Sequence, residues 1–271
     1  MRARELARAL TRVLTRGLGL EVRRRRMVQA PYLMEVHAPG ADFRFWIADD
    51  LGERWYATAD HAHNPELLAL RALARAGDRV LEIGCHHGLH TVYLAHVVGP
   101  DGVVVAMEAD PGNALIAQAQ LQLNRLAHAM VEAAAAGAEG GRARISLVDN
   151  TISGAGGPDE LIEVPVLPGD ELDRRHGPVT VLKIDVEGWE AKVLRGCAGI
   201  LARRPRLALE LHGPLLLQAG DRSEEVAALL APLAYQGMVM LPSLEQIPYQ
   251  VDQLPALCRA HPKVNLFLTP G

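Results

Sequence analysis

From Arg79 onward, short apolar runs alternate with longer stretches in which apolar residues recur every three or four positions. The runs Val80–Ile83, Val103–Met107, Arg144–Val148, Val179–Ile184, Leu207–Leu211, Met238–Leu241 and Val264–Leu268 predict strands. Helices are expected between them, near 89–97, 112–136, 189–203, 223–234 and 252–260. Strands that are apolar throughout belong to a sheet covered on both faces. Their alternation with helices makes the sheet mostly parallel and doubly wound, an α/β fold.

Upstream the periodicity differs. Residues 2–18 predict an amphipathic helix, with Leu6, Leu10, Val13 and Leu14 on one face and Arg4, Arg8, Arg12 and Arg16 on another. Tyr32–His37 and Phe43–Ala48, separated by Ala-Pro-Gly-Ala-Asp, predict a β-hairpin. Asn64-Pro65-Glu66 combines a helix cap with a first-turn proline, starting a helix that runs to the breaker Gly77. Residues 1–60 therefore read as a helix-and-hairpin extension, a lid or oligomer contact through which a homodimer could form. Residues 61–271 read as the ligand-binding domain, with surface loops at Gly137–Gly141 and Ser153–Pro158.

Composition changes this picture at three points. Aromatic residues are only 4%, so the core is built mainly from Ala, Leu and Val. The net charge of −4 hides an uneven distribution, because residues 1–26 hold nine Arg and two Glu. A basic arm on an acidic body can contact nucleic acid. The body lacks an Arg/aromatic stripe, so a solvated helix face is expected and a nucleic-acid partner is not. Cys85, Cys197 and Cys258 form no CxxC pair and no zinc spacing, and no apolar run reaches the roughly 18 residues of a membrane span. A reduced, cytoplasmic setting is expected.

The first strong candidate for chemistry is the strand-and-turn Arg79-Val80-Leu81-Glu82-Ile83-Gly84-Cys85-His86-His87-Gly88. Doubly wound sheets bind ligands beyond the carboxyl ends of their strands. Gly84 would let the backbone approach a ligand, and Gly88 would let the following helix pack on the strand. The next strand ends in Glu108, placed to accept hydrogen bonds from ribose hydroxyls. His86 stands where a dinucleotide fingerprint requires its middle glycine, and Glu82 would repel a pyrophosphate. Both features favour S-adenosylmethionine, whose amino group Glu82 would meet. Glu82, Gly84, Cys85, His86, Gly88, Glu108, Asp149 and Asp185 are the expected cofactor residues, with Asn150 a weaker neighbour.

The second candidate is Val181-Leu182-Lys183-Ile184-Asp185-Val186-Glu187-Gly188-Trp189-Glu190, followed by Leu209-Glu210-Leu211-His212. Alternate strand residues share a face, so Lys183 with Asp185, and Glu210 with His212, form two polar pairs in apolar strands. Buried charges need partners or a ligand. If the strands are adjacent, Lys183, Asp185, Glu210 and His212 converge and are the expected catalytic residues. Methyl transfer to a hydroxyl requires an aligned acceptor and removal of its proton. His212 is the better base candidate, since its unperturbed pKa lies near neutrality. A divalent cation held by Asp185, Glu210 and His212 is the alternative, and an ion pair of Lys183 with Asp185 the purely structural one. No metal site is assigned.

Three segments together resemble the FkbM family of methyltransferases. These are Glu82–Gly88, Met107-Glu108-Ala109-Asp110-Pro111, and Leu182–Glu190 with Val193-Leu194-Arg195-Gly196. The resemblance spans residues 60–271. It implies a class I, Rossmann-like fold of seven strands with an antiparallel last strand. It also implies S-adenosylmethionine-dependent O-methylation of a small-molecule hydroxyl, on a sugar, polyketide or other secondary metabolite. Cys85 and His86 replace the Ala and Asn usual in the family's turn. An RNA-directed methyltransferase and a non-catalytic cofactor-binding scaffold are the competing functions. Trp55, Tyr56, His61 and His63 are expected to line the acceptor pocket or the core.

Overall fold

The computed structural model describes residues 31–146 and 161–271. The expected helix 2–18, Asp149, Asn150 and the loop Ser153–Pro158 lie outside the described residues.

A hairpin of β1 (Tyr32–Ala38) and β2 (Ala41–Ile47) leads through helical turns at Asp50–Gly52 and Glu53–Ala57 into α1 (Pro65–Leu73). Next come β3 (Arg79–Ile83), α2 (Leu89–Val98), β4 (Val103–Glu108), α3 (Pro111–Leu123), β5 (Ala129–Ala133), β6 (Ala135–Ala136), β7 (Gly141–Ser146) and β8 (Leu161–Leu167). The chain continues with α4 (Gly169–His176), β9 (Val181–Ile184), α5 (Glu190–Gly196), α6 (Ala198–Ala202), β10 (Arg206–Leu211), α7 (Gly213–Gln218) and α8 (Ser223–Leu230). It ends with β11 (Tyr235–Met240), β12 (Gln246–Pro248), α9 (Leu254–Ala260) and β13 (Val264–Pro270).

The central sheet has the order β12-β11-β13-β10-β9-β3-β4-β5. Strands β10, β9, β3, β4 and β5 are parallel neighbours, while β13 runs antiparallel between β10 and β11. The fold is the doubly wound α/β sheet expected, with one correction: the short edge strand β12 makes it eight strands among the described residues. Two apolar clusters cover its faces. Leu81, Val105, Leu182 and Leu209 face α4 to α9, whereas Val80, Val104, Val181 and Ala208 face the hairpin, α1 and α2. Phe43, Phe45 and Ile47 are buried in the second cluster, so the hairpin shares one core with the central sheet.

Local chemistry fixes the helix starts. Asn64 accepts from the Glu66 and Leu67 amides, and Asp110 accepts from those of Gly112 and Asn113, each just before a proline. These caps satisfy amides that lack a partner within the helix.

The third parallel strand is not where the pattern put it. The expected helix 112–136 ends at Leu123, and Ala129–Ala133 supplies the strand beside β4. Arg144 and Ile145, expected in the main sheet, lie in β7 of a separate sheet ordered β6-β8-β7. Alanine-rich sequence favours helix intrinsically, and tertiary pairing overrides that weak preference here. Helices α4 and α7 and strand β8 also went unpredicted.

Candidate active site

The turn after β3 is held against its neighbours by backbone contacts. The Gly84 and Cys85 amides both donate to the Met107 carbonyl, and the Asp185 amide donates to the Ile83 carbonyl. Gly84 has φ +85°, and a Cβ there would lie 1.7 Å from the Asp185 carbonyl oxygen. Its first constraint is thus the neighbouring strand's backbone, ahead of any ligand. Gly88, also at positive φ, would place a Cβ 3.0 Å from that of Ala117, so it admits α3 against α2 and not the helix against its strand.

Glu108 lies where the sequence put it, at the carboxyl end of β4. Its oxygens accept from the His86 amide at 2.7 Å and the Asp110 amide at 2.9 Å. Burial pushes its pKa up to about 7 against those hydrogen bonds. A carboxylate has about four acceptor positions, so capacity for ribose hydroxyls remains. His86 itself has φ +50°, stacks on His87 at 4.0 Å, and pairs through Nδ1 with the Tyr56 hydroxyl at 2.7 Å. Cys85 is buried among Ala106 and Ala117, so it gives the turn backbone and packing rather than a ligand-facing thiol.

Glu82 and Lys183 are register partners on adjacent strands. The Glu82 carboxylate is fully buried, accepts from the Thr91 hydroxyl at 2.6 Å, and lies 3.4 Å from Lys183 Nζ. Direct contact between Glu82 and a ligand's amino group, as expected from the sequence, finds that carboxylate enclosed and engaged. Lys183 Nζ also lies 3.7 Å from Asp185. Burial disfavours the ammonium, yet the carboxylates around it raise its pKa. Burial pushes Asp185 up to about 7, against the attraction of Lys183.

The His212 ring sits in a ring of carboxylates. Its Nδ1 is 2.8 Å from Glu190, and its Nε2 is 3.1 Å from Glu210 and 3.3 Å from Glu187. Burial opposes its charge, but hydrogen bonds to Glu190 and Glu210 prevail and hold its pKa at about 10. That environment favours imidazolium at neutral pH. Glu210 is held at about 2, where hydrogen bonds from His212 and Lys263 outweigh burial. The structure thus gathers all four expected catalytic residues at the carboxyl ends of β3, β9 and β10.

Beside them lies a cleft of about 450 Å³, lined by Asp60, His63, Glu66, Leu241, Lys263 and Asn265 among others. Of the four aromatic and histidine residues proposed as pocket lining, only His63 borders it. Tyr56 packs edge-on to Phe45, His61 bonds the Tyr56 carbonyl, and the Trp55 side chain is exposed. Sequence reading missed Glu190, Glu66 and Lys263. Glu190 stands in the segment already singled out, and its spacing past Asp185 was the available signal. Lys263 and Glu66 come from distant elements and gave none.

Residues 82–237 match the family described as the methyltransferase FkbM domain, more than half of the chain. The chain is a member of the FkbM methyltransferase family. The matched span contains the glycine turn, Glu108, Asp185 and His212, while the hairpin, Tyr56 and Lys263 lie outside it. No curated protein matches this FkbM-family chain. Solved structures resemble it distantly. An rRNA methylase from Streptococcus thermophilus shares 14% identity over 76% of this chain and 96% of its own, at a TM-score of 0.46. A SAM-dependent O-methyltransferase from Thermotoga maritima shares 18% over 76% and 64%, at 0.41. Fibrillarin from Aeropyrum pernix, in complex with S-adenosyl-L-methionine, shares 13% over 75% and 74%, at 0.45. Among the described residues, no helix is long and apolar enough to cross a membrane.

Proposed function

We propose that this FkbM-family methyltransferase uses S-adenosylmethionine to methylate a hydroxyl on a small molecule seated in the cleft beside Lys263 and Glu66. The observation that carries the reading is the excess of carboxylates at the carboxyl ends of β3, β9 and β10. Such a site repels a phosphate-bearing nucleotide and suits a ligand with a sulfonium and an ammonium group. The Gly84–Gly88 turn would carry the nucleoside and Glu108 would receive ribose hydroxyls, while Asp185 closes the far side. S-adenosylmethionine supplies a methyl carbon already activated by its sulfonium.

The chain's own part is then to align the acceptor and take its proton. Lys183 fixes Asp185 between two strands, and Lys263 fixes Glu210 at the edge of the cleft. The acceptor's proton passes to Asp185, which burial holds at about 7, beside the charged His212 and Glu210. A cleft of about 450 Å³ suits a compact organic molecule. Among the described residues, Lys263 is the one lysine or arginine in its lining, which favours a metabolite over a polynucleotide backbone.

Calorimetric titration with S-adenosylmethionine tests the cofactor site. Wild type is expected to bind, and Glu108→Ala to bind about 10- to 100-fold more weakly, as for loss of hydrogen bonds to a charged group. Equal titration curves would displace the site. Transfer of labelled methyl from the cofactor to hydroxyl-bearing sugars and polyketides, but not to RNA, tests the acceptor class.

A further inference from the structure

The catalytic cluster carries more negative charge than its own cations offset. Glu66, Glu82, Asp185, Glu187, Glu190 and Glu210 interact with one another or with the same lysines. Against these six carboxylates the pairs show Lys183, Lys263 and, when protonated, His212. One sulfonium does not close that gap. A divalent cation narrows it further.

Asp185, Glu187 and His212 each offer one ligand atom, all within 4.8 Å of one another. Ligand bonds of roughly 2.0–2.2 Å would bridge that spacing after a small contraction. His212 is oriented for the task, the cation taking the place of its Nε2 proton. Glu190, fully buried, holds its Nδ1 at 2.8 Å and turns Nε2 toward Glu187 and Glu210. A carboxylate behind the imidazole is the usual support of a metal-ligating histidine. The second oxygen of Glu190 is buried and accepts no hydrogen bond, so this supporting carboxylate is itself short of positive charge. Glu187 holds φ +48°, a strained backbone for a non-glycine residue, and presents its carboxylate to His212 from there. The Asp185 and Glu187 side chains remain 27% and 35% exposed, so the group opens on one side. Sites of that kind leave coordination positions for water or substrate, unlike closed structural sites.

We propose that Asp185, Glu187 and His212 bind one divalent cation, with its open positions available to oxygens of the acceptor. Two carboxylates and an imidazole suit a first-row cation such as Mn²⁺. Only the acceptor clause rests on the methyl-transfer reading; cation binding stands apart from it.

Mn²⁺ titrated into the chelator-stripped full chain, with free Mn²⁺ read by electron paramagnetic resonance, provides the test. One Mn²⁺ per chain with micromolar affinity is expected. Asp185→Asn and Glu187→Gln should each weaken it at least about tenfold, and Glu190→Gln about 10- to 100-fold through loss of imidazole support. No binding by wild type at about millimolar Mn²⁺, where even weak oxygen sites fill, would overturn the proposal whatever the variants do. So would wild-type affinity in the Asp185→Asn/Glu187→Gln double variant. A parallel titration with S-adenosylmethionine separates the two readings. Cofactor binding without Mn²⁺ binding removes the cation alone, and the converse result removes the methyl-transfer site alone.

Discussion

The same parallel strands bury charge at both of their ends, and the two ends treat it differently. At the amino ends, the Asp78 carboxylate accepts from the Arg75 amide, the Thr180 hydroxyl and the Arg206 guanidinium. Arg206 also donates to the Leu73 carbonyl. One acid meets one base, and the surrounding donors complete it. At the carboxyl ends, six carboxylates share two lysines and a histidine, and buried oxygens of Glu82 and Glu190 accept no hydrogen bond. Buried polar groups in folded proteins are normally satisfied. An end that is satisfied reads as architecture, and an end that is not reads as a place kept for a ligand.

Gly84→Val should have the largest effect, because it acts where the two readings meet. The new Cβ would stand 1.7 Å from the Asp185 carbonyl, and the backbone sits at positive φ. Strand β9 or the turn must move, at a cost of about 3 kcal/mol or more. Denaturant unfolding should register that loss, with cofactor binding abolished in whatever remains folded.

Exchanging the insult between the two ends sharpens the contrast. Asp78→Ala strands Arg206 in a largely buried position, which should cost about 3–5 kcal/mol of stability, discounted for residual exposure. Cofactor affinity in the folded fraction should stay at the wild-type value. Asp185→Asn removes one charge from the overcrowded end. Its melting temperature should hold or rise, while kcat/KM falls at least about 100-fold with loss of a proton-transfer group. If Asp185→Asn unfolds the protein as readily as Asp78→Ala does, the two ends are not different in kind.

Glu108 gives the comparison a pH signature. Its pKa rises from 4.5 to about 7 on folding, chiefly through burial. Between those values the folded chain retains a proton that the unfolded chain has released. Stability without cofactor should therefore fall as pH rises from about 4.5 to 7 and be level with respect to this group above that. The contribution is on the order of 3 kcal/mol. Glu108→Gln should remove that slope from chemical unfolding curves measured across the window.

These contrasts were only partly visible in the sequence. The turn Glu82–Gly88, the acid Glu108 and the run through Asp185 were legible because strand, tight turn and terminal polar residue are local features. The hairpin was legible for the same reason. Strand Ala129–Ala133 was not, since a short alanine-rich stretch has no period that separates strand from helix. The same limit hid Glu66 and Lys263, which reach the cluster from residues far along the chain. The sequence also named His212 as the base from its unperturbed pKa. The three carboxylates that favour its charged form come together only through folding, two from the loop and helix start after β9 and one from its own strand.

The smallest expected effect lies outside the matched family span and asks whether the N-terminal hairpin region belongs to the carboxyl-end site. Tyr56 presents its hydroxyl to His86 Nδ1 at 2.7 Å, and the His86 amide in turn holds Glu108. Tyr56→Phe keeps the ring that packs against Phe45 and removes only the hydroxyl. Loss of one such hydrogen bond costs about 1 kcal/mol, or roughly fivefold. If Tyr56 positions the turn, that fivefold appears as weaker S-adenosylmethionine binding in calorimetry with stability nearly unchanged. If the contact is mere packing, the melting temperature drops and the affinity does not. In the first case the carboxyl-end site is completed by a segment that precedes the matched family span, as its geometry over the turn requires.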